Sequence, residues 1–193
     1  MNSKLNMSTP IRLAWIALIA LVITSLACNF GLSAPQPERT PAPLSTEALQ
    51  EMEQNLSETL EEAQQTGDLT LTLTEGQVTS YLAERLAQEP DSPLSEPLVL
   101  FQENQIEVYG KVKSGPVSGS VQIVLTVSVD ANGSPDVEII SANLGAIPLP
   151  QFVLDQITTM IDDLIQENMA SLKAQLVDIQ VTTGLMILTA RLQ

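Results

Sequence analysis

The sequence contains no histidine, a single cysteine, and only three phenylalanines, two tyrosines and one tryptophan in 193 residues. Without histidine, the commonest general base and the commonest metal ligand are both missing, so the serines have no imidazole to activate them. A lone cysteine excludes an intramolecular disulfide. With aromatics at 3%, a core has to be built from Leu, Ile, Val and Met. Basic side chains are also scarce: 8 Lys and Arg stand against 23 Asp and Glu, a formal charge of −15. Such a surface repels nucleic-acid phosphates and anionic lipid headgroups, so any membrane attachment must be hydrophobic or covalent. Nucleotide-binding loops and cofactor motifs are missing too. Together these gaps point away from an enzyme, from a resident metal or cofactor, and from a nucleic-acid partner.

What is present begins with an address. Lys4 and Arg12 sit in a polar start, Leu13 to Ile23 is almost wholly apolar, and Thr24-Ser25-Leu26-Ala27 leads into Cys28. A basic start, a short apolar run and a small residue before the cut describe a secretory signal peptide over residues 1–27. The run is about 15 residues, short of the roughly 20 that a spanning helix needs, although an uncleaved anchor is the alternative. Removal of residues 1–27 takes away two basic residues and no acid, leaving six basic against 23 acidic side chains and a formal −17. Leu26-Ala27-Cys28 resembles the bacterial lipobox, with Ser25 where the common pattern has Leu. The resemblance implies a lipid on the Cys28 sulfur and a protein held at the outer face of a bacterial membrane. A free thiol after ordinary secretion is the alternative.

Residues 28–44 read as the lipidated cysteine and a tether. Pro35, Pro37, Pro41 and Pro43 block regular helix and favour extended chain. At about 3.1 Å per residue in its stiff part, this segment would hold a domain tens of ångströms from a bilayer. A single domain over 45–193 follows. Ser45 predicts a helix cap, and Leu49, Met52, Leu56, Leu60 and Ala63 give an apolar stripe to about Gln65, with Gly67 as the stop. Leu69, Leu71 and Leu73 alternate as a short strand. Thr74 and Gln77 form a capping box for a second helix carrying Val78, Tyr81, Leu82 and Leu86, ended by Pro90 and Pro93.

The centre reads as an antiparallel meander. Strands are expected at 97–102, across Ile106, Val108, Gly110 and Val112, and across Val121, Ile123, Leu125, Val127 and Val129. Asn132-Gly133 signals a hairpin, and a return strand from Val137 and Ile139 runs to about Leu144. After Pro148 and Pro150, the spacing predicts a long amphipathic helix to about Leu176, with Val153, Ile157, Met160, Ile161, Leu164, Met169 and Leu172 on one stripe. Two last strands take Val177, Ile179 and Val181, then Leu185 and Ile187 after a turn at Gly184. The expected fold class is therefore α+β, a long amphipathic helix against an antiparallel sheet, with additional N-terminal helices.

Helix and sheet must bury their apolar faces together. Composition alone leaves two outcomes open, a fully packed core or a channel for an acyl chain. The Thr74-Glu75-Gly76-Gln77-Val78 helix start after a Leu-rich strand resembles that of small bacterial tubular-lipid-binding (TULIP-like) lipoproteins. So does the order that follows it: helix, meander, Ile147-Pro148-Leu149-Pro150, long helix and Gly184 hairpin. The resemblance covers about residues 69–192 and rests on order and short motifs. It implies a long helix wrapped by a highly curved sheet and an apolar groove for a phospholipid or fatty-acyl ligand. The implied lining is Val121, Ile123, Leu125, Val127, Val137, Ile139, Ile157, Met160, Ile161 and Leu164. The competing reading is a non-catalytic module that scaffolds an envelope complex. Among polar groups, Asp130, Asn132 and Asp136 lack the spacing of a calcium-binding loop, so a plain turn is favoured. Asp162-Asp163 reads as a solvated face. Lys111 and Lys113 read as surface charges, with a phosphate headgroup as the alternative partner.

Overall fold

A computed structural model describes residues 36–192, apart from 38, 41 and 173. The expected signal peptide, Cys28 and the first part of the tether lie outside the described residues. Within them the protein is α+β, with every paired strand antiparallel.

The first helix, α1 (Thr46–Thr66), begins where its cap is. The Ser45 hydroxyl accepts from the Ala48 N–H, and Gly67, at φ +82°, ends the helix by donating its N–H to the Ala63 carbonyl. Ala63 is fully buried and Leu49, Met52, Leu56 and Leu60 are half-buried, so the stripe faces the domain while the glutamates face water. Strand β1 (Asp68–Thr74) runs into α2 (Glu75–Gln88) through the capping box of Thr74 and Gln77. Next come β2 (Leu94–Gln102), β3 (Gln105–Ser114), β4 (Val117–Val129), β5 (Pro135–Leu144) and the two-residue β6 (Ile147–Pro148), which pair in chain order as one five-stranded sheet. After α3 (Gln151–Leu172), β7 (Ala174–Thr182) and β8 (Leu185–Leu192) return to β1 and form a second sheet of order β1-β8-β7. The first strand and the last thus pair directly, Leu69 opposite Ala190 and Leu73 opposite Met186.

One face of the five-stranded sheet is the core. Val112, Val121, Ile123 and Leu125 pack with Leu94, with Leu86 of α2, and with Val153 and Ile157 of α3. Helix α2 also covers the free edge of β2. Thr79 Oγ1 accepts from the Val99 N–H at 2.9 Å, and Glu75 Oε1 accepts from the Phe101 N–H at 2.7 Å. Residues 75 and 79 are one helical turn apart, and 99 and 101 one strand repeat apart, so the two periods mesh. Two outward N–H groups that would otherwise recruit another strand are thereby satisfied.

Arg39 adds a clasp, bonding Glu75 at 2.6 Å and the Phe101 carbonyl at 2.7 Å. Nearby, the Ser45 N–H donates to Ser80 Oγ, and a Cβ on Gly76 would lie 3.2 Å from that of Ala42. The end of the Pro-rich stretch is therefore laid along α2. The expected free spacer of 28–44 is shortened accordingly, because an ion pair with a side chain only 12% exposed holds it from Arg39 onward.

Strand β7 ties the two sheets together. At one end the Leu176 N–H donates to the Gly133 carbonyl in the β4–β5 loop, and at the other the Asn104 N–H in the β2–β3 turn donates to the Val181 carbonyl. Gln175 Nε2 also bonds the Asn132 carbonyl. The approach is close: a Cβ on Gly133, whose φ is +78°, would lie 2.1 Å from Gln175 Cγ. The Asn-Gly signal thus marks a longer connection, residues 130–134 between the Val129–Pro135 pair, and its tip is a docking point for β7.

Three expectations are corrected. Helix α3 ends at Leu172 and Leu176 belongs to β7, because pairing with Ala190 and the bond to Gly133 outweigh a continued helical stripe. Val177 does not face inward. A register shift between Leu176 and Asp178 leaves it bulged out and 52% exposed, while Leu176 and Val181 are buried. The first central strand starts at Leu94 and crosses Pro97 at another shift, where Glu96 has φ +51°. That shift lies opposite Gly110, where a Cβ would lie 2.8 Å from Leu94 Cδ1.

Replacing Glu75 by Ala orphans a strand-edge N–H and strands half-buried Arg39. It should cost about 2–3 kcal/mol of unfolding free energy in urea. Arg39→Ala should cost less, and the double variant should show a coupling of about 1 kcal/mol.

Candidate functional site

Between the two sheets and the middle of α3 lies a cavity of about 350 Å³. Period-2 alternation supplies its sheet walls: Ile106 and Val108 from β3, Ile123, Leu125 and Val127 from β4, and Pro135 and Val137 from β5. Spacings of three and four on α3 supply Ile157, Met160, Ile161, Leu164 and Ile165. Leu176 and Ile179 of β7, Met186 and Leu188 of β8, Leu82 of α2 and Leu94 of β2 complete it. All 18 described lining residues are apolar, so among the described residues none in the wall is able to take a proton, bind a metal or attack a bond. What it can do is exclude water from an apolar body.

The helix explains why the space is there. Val153 and Ile157 are fully buried, so the start of α3 is seated on the sheet. Met160, Ile161, Leu164 and Ile165 are only half-buried. Along this less buried stretch, β7 and β8 provide a further wall through Leu176, Ile179, Met186 and Leu188. An engineered 150 Å³ apolar cavity already binds small hydrocarbons, and this one is at the lower end of the range for small-molecule pockets.

Eight of the ten residues named from the sequence border this cavity: Ile123, Leu125, Val127, Val137, Ile157, Met160, Ile161 and Leu164. The other two do not. Val121 is 1% exposed and sits in solid core beside Leu144 and Gly110. Ile139 packs against the core from β5, where a register shift at Ile140 turns the strand and leaves Ile140 itself 52% exposed. The walls from β7 and β8 were missed. Alternation of Ile179 and Val181 marked an inward face, but only the pairing of β8 with β1 shows what that face looks onto.

The remaining candidates resolve locally. Asp130 Oδ1 accepts from the Asn132 and Ser134 N–H groups at 2.8 Å each, and Oδ2 from the Asn132 amide at 3.2 Å. Its carboxyl is held below the usual range, chiefly by the Ser134 N–H, with burial opposing and further help from Asn132 and Gly133. Both oxygens are thus engaged by the loop itself. Among the described residues no cluster of three or more acidic or cysteine side chains is placed to hold a metal. Lys111 pairs with exposed Glu96 at 2.7 Å. Asp162 and Asp163 are both exposed, and Asp163 borders a separate polar cleft. No helix among the described residues is long and apolar enough to cross a membrane.

Comparison with models of known protein families gives no match, and comparison with curated proteins gives none either.

Two expectations follow from this geometry. Val127→Phe puts a ring into the cavity and should leave urea stability within about 1 kcal/mol of the parent. Val121→Phe overpacks solid core and should cost about 1–3 kcal/mol. For Asp130, a depressed carboxyl in the folded state contributes stability above its unfolded value, and that stability is lost as pH falls through the folded one. Asp130→Asn should therefore lower the urea midpoint near neutral pH. The difference from the parent should shrink well below the ordinary value of 3.8.

Proposed function

We propose that the protein is a membrane-anchored lipoprotein that binds or shuttles an amphiphile, a phospholipid or similar acyl-chain molecule, at the bacterial cell envelope. The observation that carries this is the wholly apolar cavity of about 350 Å³ beside α3. Several of its walls, Met160, Ile161, Leu164 and Ile165 among them, are only half-buried. Left unfilled, these apolar faces stay in contact with water, which is unfavourable. An acyl chain covers them, whereas a module whose only task is scaffolding gains nothing from the space. The TULIP-like reading, in which a highly curved sheet wraps a long amphipathic helix, belongs with this proposal. It is supported by the antiparallel meander, the 22-residue α3 and the register shifts that bend strands.

Anchoring is argued from the sequence. Cys28 follows an apolar run after a basic start, and the net charge of −15 leaves no electrostatic route to an anionic bilayer. Lipidation of Cys28 with two or more chains gives stable attachment where one gives marginal binding. A second reading, a non-catalytic interaction module, draws on Ile147 and Phe152. They are 52% and 47% exposed at the β6–α3 junction and are the kind of apolar surface a partner covers.

The test is mass spectrometry of detergent-free protein made without residues 1–27 and with Cys28→Ser, together with titration by N-phenyl-1-naphthylamine, an uncharged apolar fluorophore. Co-purifying amphiphile and saturable uptake that Val127→Phe abolishes are expected. No bound amphiphile and no uptake would overturn the reading. In cells, labelled palmitate should enter the parent and not Cys28→Ser.

A further inference from the structure

A second cavity, of about 470 Å³, lies where the end of α2 and the loop after it face α3. It shares Met160 and Leu164 with the apolar cavity. These two residues are one helical turn apart on the same face of α3, so a two-residue apolar partition divides a wholly apolar space from a charged one. Ser92 Oγ donates to the Met160 sulfur at 3.7 Å. An unbranched thioether is the side chain best able to shift and let a chain pass. An amphiphile is the molecule whose two parts match two such compartments.

The charge in the second compartment selects the head. Its described ionisable residues are Arg85, Glu89, Asp91, Asp163 and Glu167. Arg85 already bonds Glu167 across the cleft, from the end of α2 to α3. Among the described residues, no other cation lines the cleft to balance Glu89, Asp91 and Asp163. A sulfate, carboxylate or phosphate monoester placed there meets net negative charge, whereas an ammonium group meets attraction strengthened by the low-dielectric wall beneath it. The small volume of the apolar compartment suits one tail better than two.

We infer that the bound amphiphile is single-tailed, with its tail in the apolar cavity and an ammonium-bearing head in the cleft between the end of α2 and α3. This rests on the reading of the apolar cavity as an amphiphile site, and it adds the class of headgroup.

The test uses the full chain with Cys28→Ser, loaded with N-phenyl-1-naphthylamine. The dye is displaced by tetradecyltrimethylammonium or by tetradecyl sulfate, each below its micelle concentration. The ammonium compound should displace it at a concentration on the order of tenfold lower, and the ratio should fall as salt is raised. The triple variant Glu89→Gln, Asp91→Asn, Asp163→Asn should bring the ratio close to one. Glu53→Gln with Glu61→Gln, on the exposed face of α1, should leave it unchanged and so separates the cleft from the general acidity of the surface. Tetramethylammonium, which has no tail, should not displace the dye. The inference is overturned if the sulfate competes as well as the ammonium compound. It is equally overturned if the cleft triple leaves the ratio intact, if the α1 pair lowers it as much, or if the tailless cation competes. Failure of both tetradecyl compounds to displace the dye defeats the amphiphile reading itself.

Discussion

Two backbone hydrogen bonds hold β7 across the tips of two hairpins, Leu176 to Gly133 at one end and Val181 to Asn104 at the other. The candidate site depends on them. The five-stranded sheet and α3 close most tightly at the start of the helix, where Val153 and Ile157 are fully buried, while Met160 and Ile161 pack there only in part. Beyond that point the far wall is made by Leu176 and Ile179 of β7, with Met186 and Leu188 of β8 behind them. If β7 lay elsewhere, the middle of α3 would either collapse onto the sheet or leave Met160, Ile161, Leu164 and Ile165 in water. The same constraint explains a glycine at 133: the loop needs a left-handed residue there, and the Gln175 side chain occupies the place of a Cβ.

Edge protection is the second organising device. A sheet of five strands has two edges, and an acidic protein with little aromatic bulk has few large side chains with which to cover them. On the β2 side the outward Val99 and Phe101 N–H groups donate to Thr79 and Glu75, with Arg39 joining Glu75 from outside. On the other side β6 is only two residues long, and short edge strands offer little to pair with. The bulges at Ile140 and Val177 bend their strands at the cost of exposing two large apolar side chains.

Inside and outside differ sharply in chemistry. Among the described residues the cavity wall holds no polar side chain, while the cleft beyond Met160 and Leu164 is crowded with carboxylates. Recognition in the first compartment works by exclusion of water, and in the second by charge.

Local features were legible from the sequence because their causes are local. Ser45 and Thr74 start helices through their own side chains, Gly67 ends one through its left-handed conformation, and alternation along β4 sends Ile123 and Leu125 inward through the pleat. The lack of histidine and of a second cysteine is likewise read from the sequence, and it rules out an imidazole relay and an internal disulfide whatever the fold. Long-range choices were not. The pairing of β1 with β8, the place where α3 gives way to β7, the outward turn of Val177 and the laying of Arg39 against Glu75 all depend on backbone groups far apart in the chain. Nor could the periodic pattern distinguish Val121, which fills solid core, from Val127, which borders the cavity. Both face inward by the same pleat, and whether anything meets them there is decided only when the second sheet arrives.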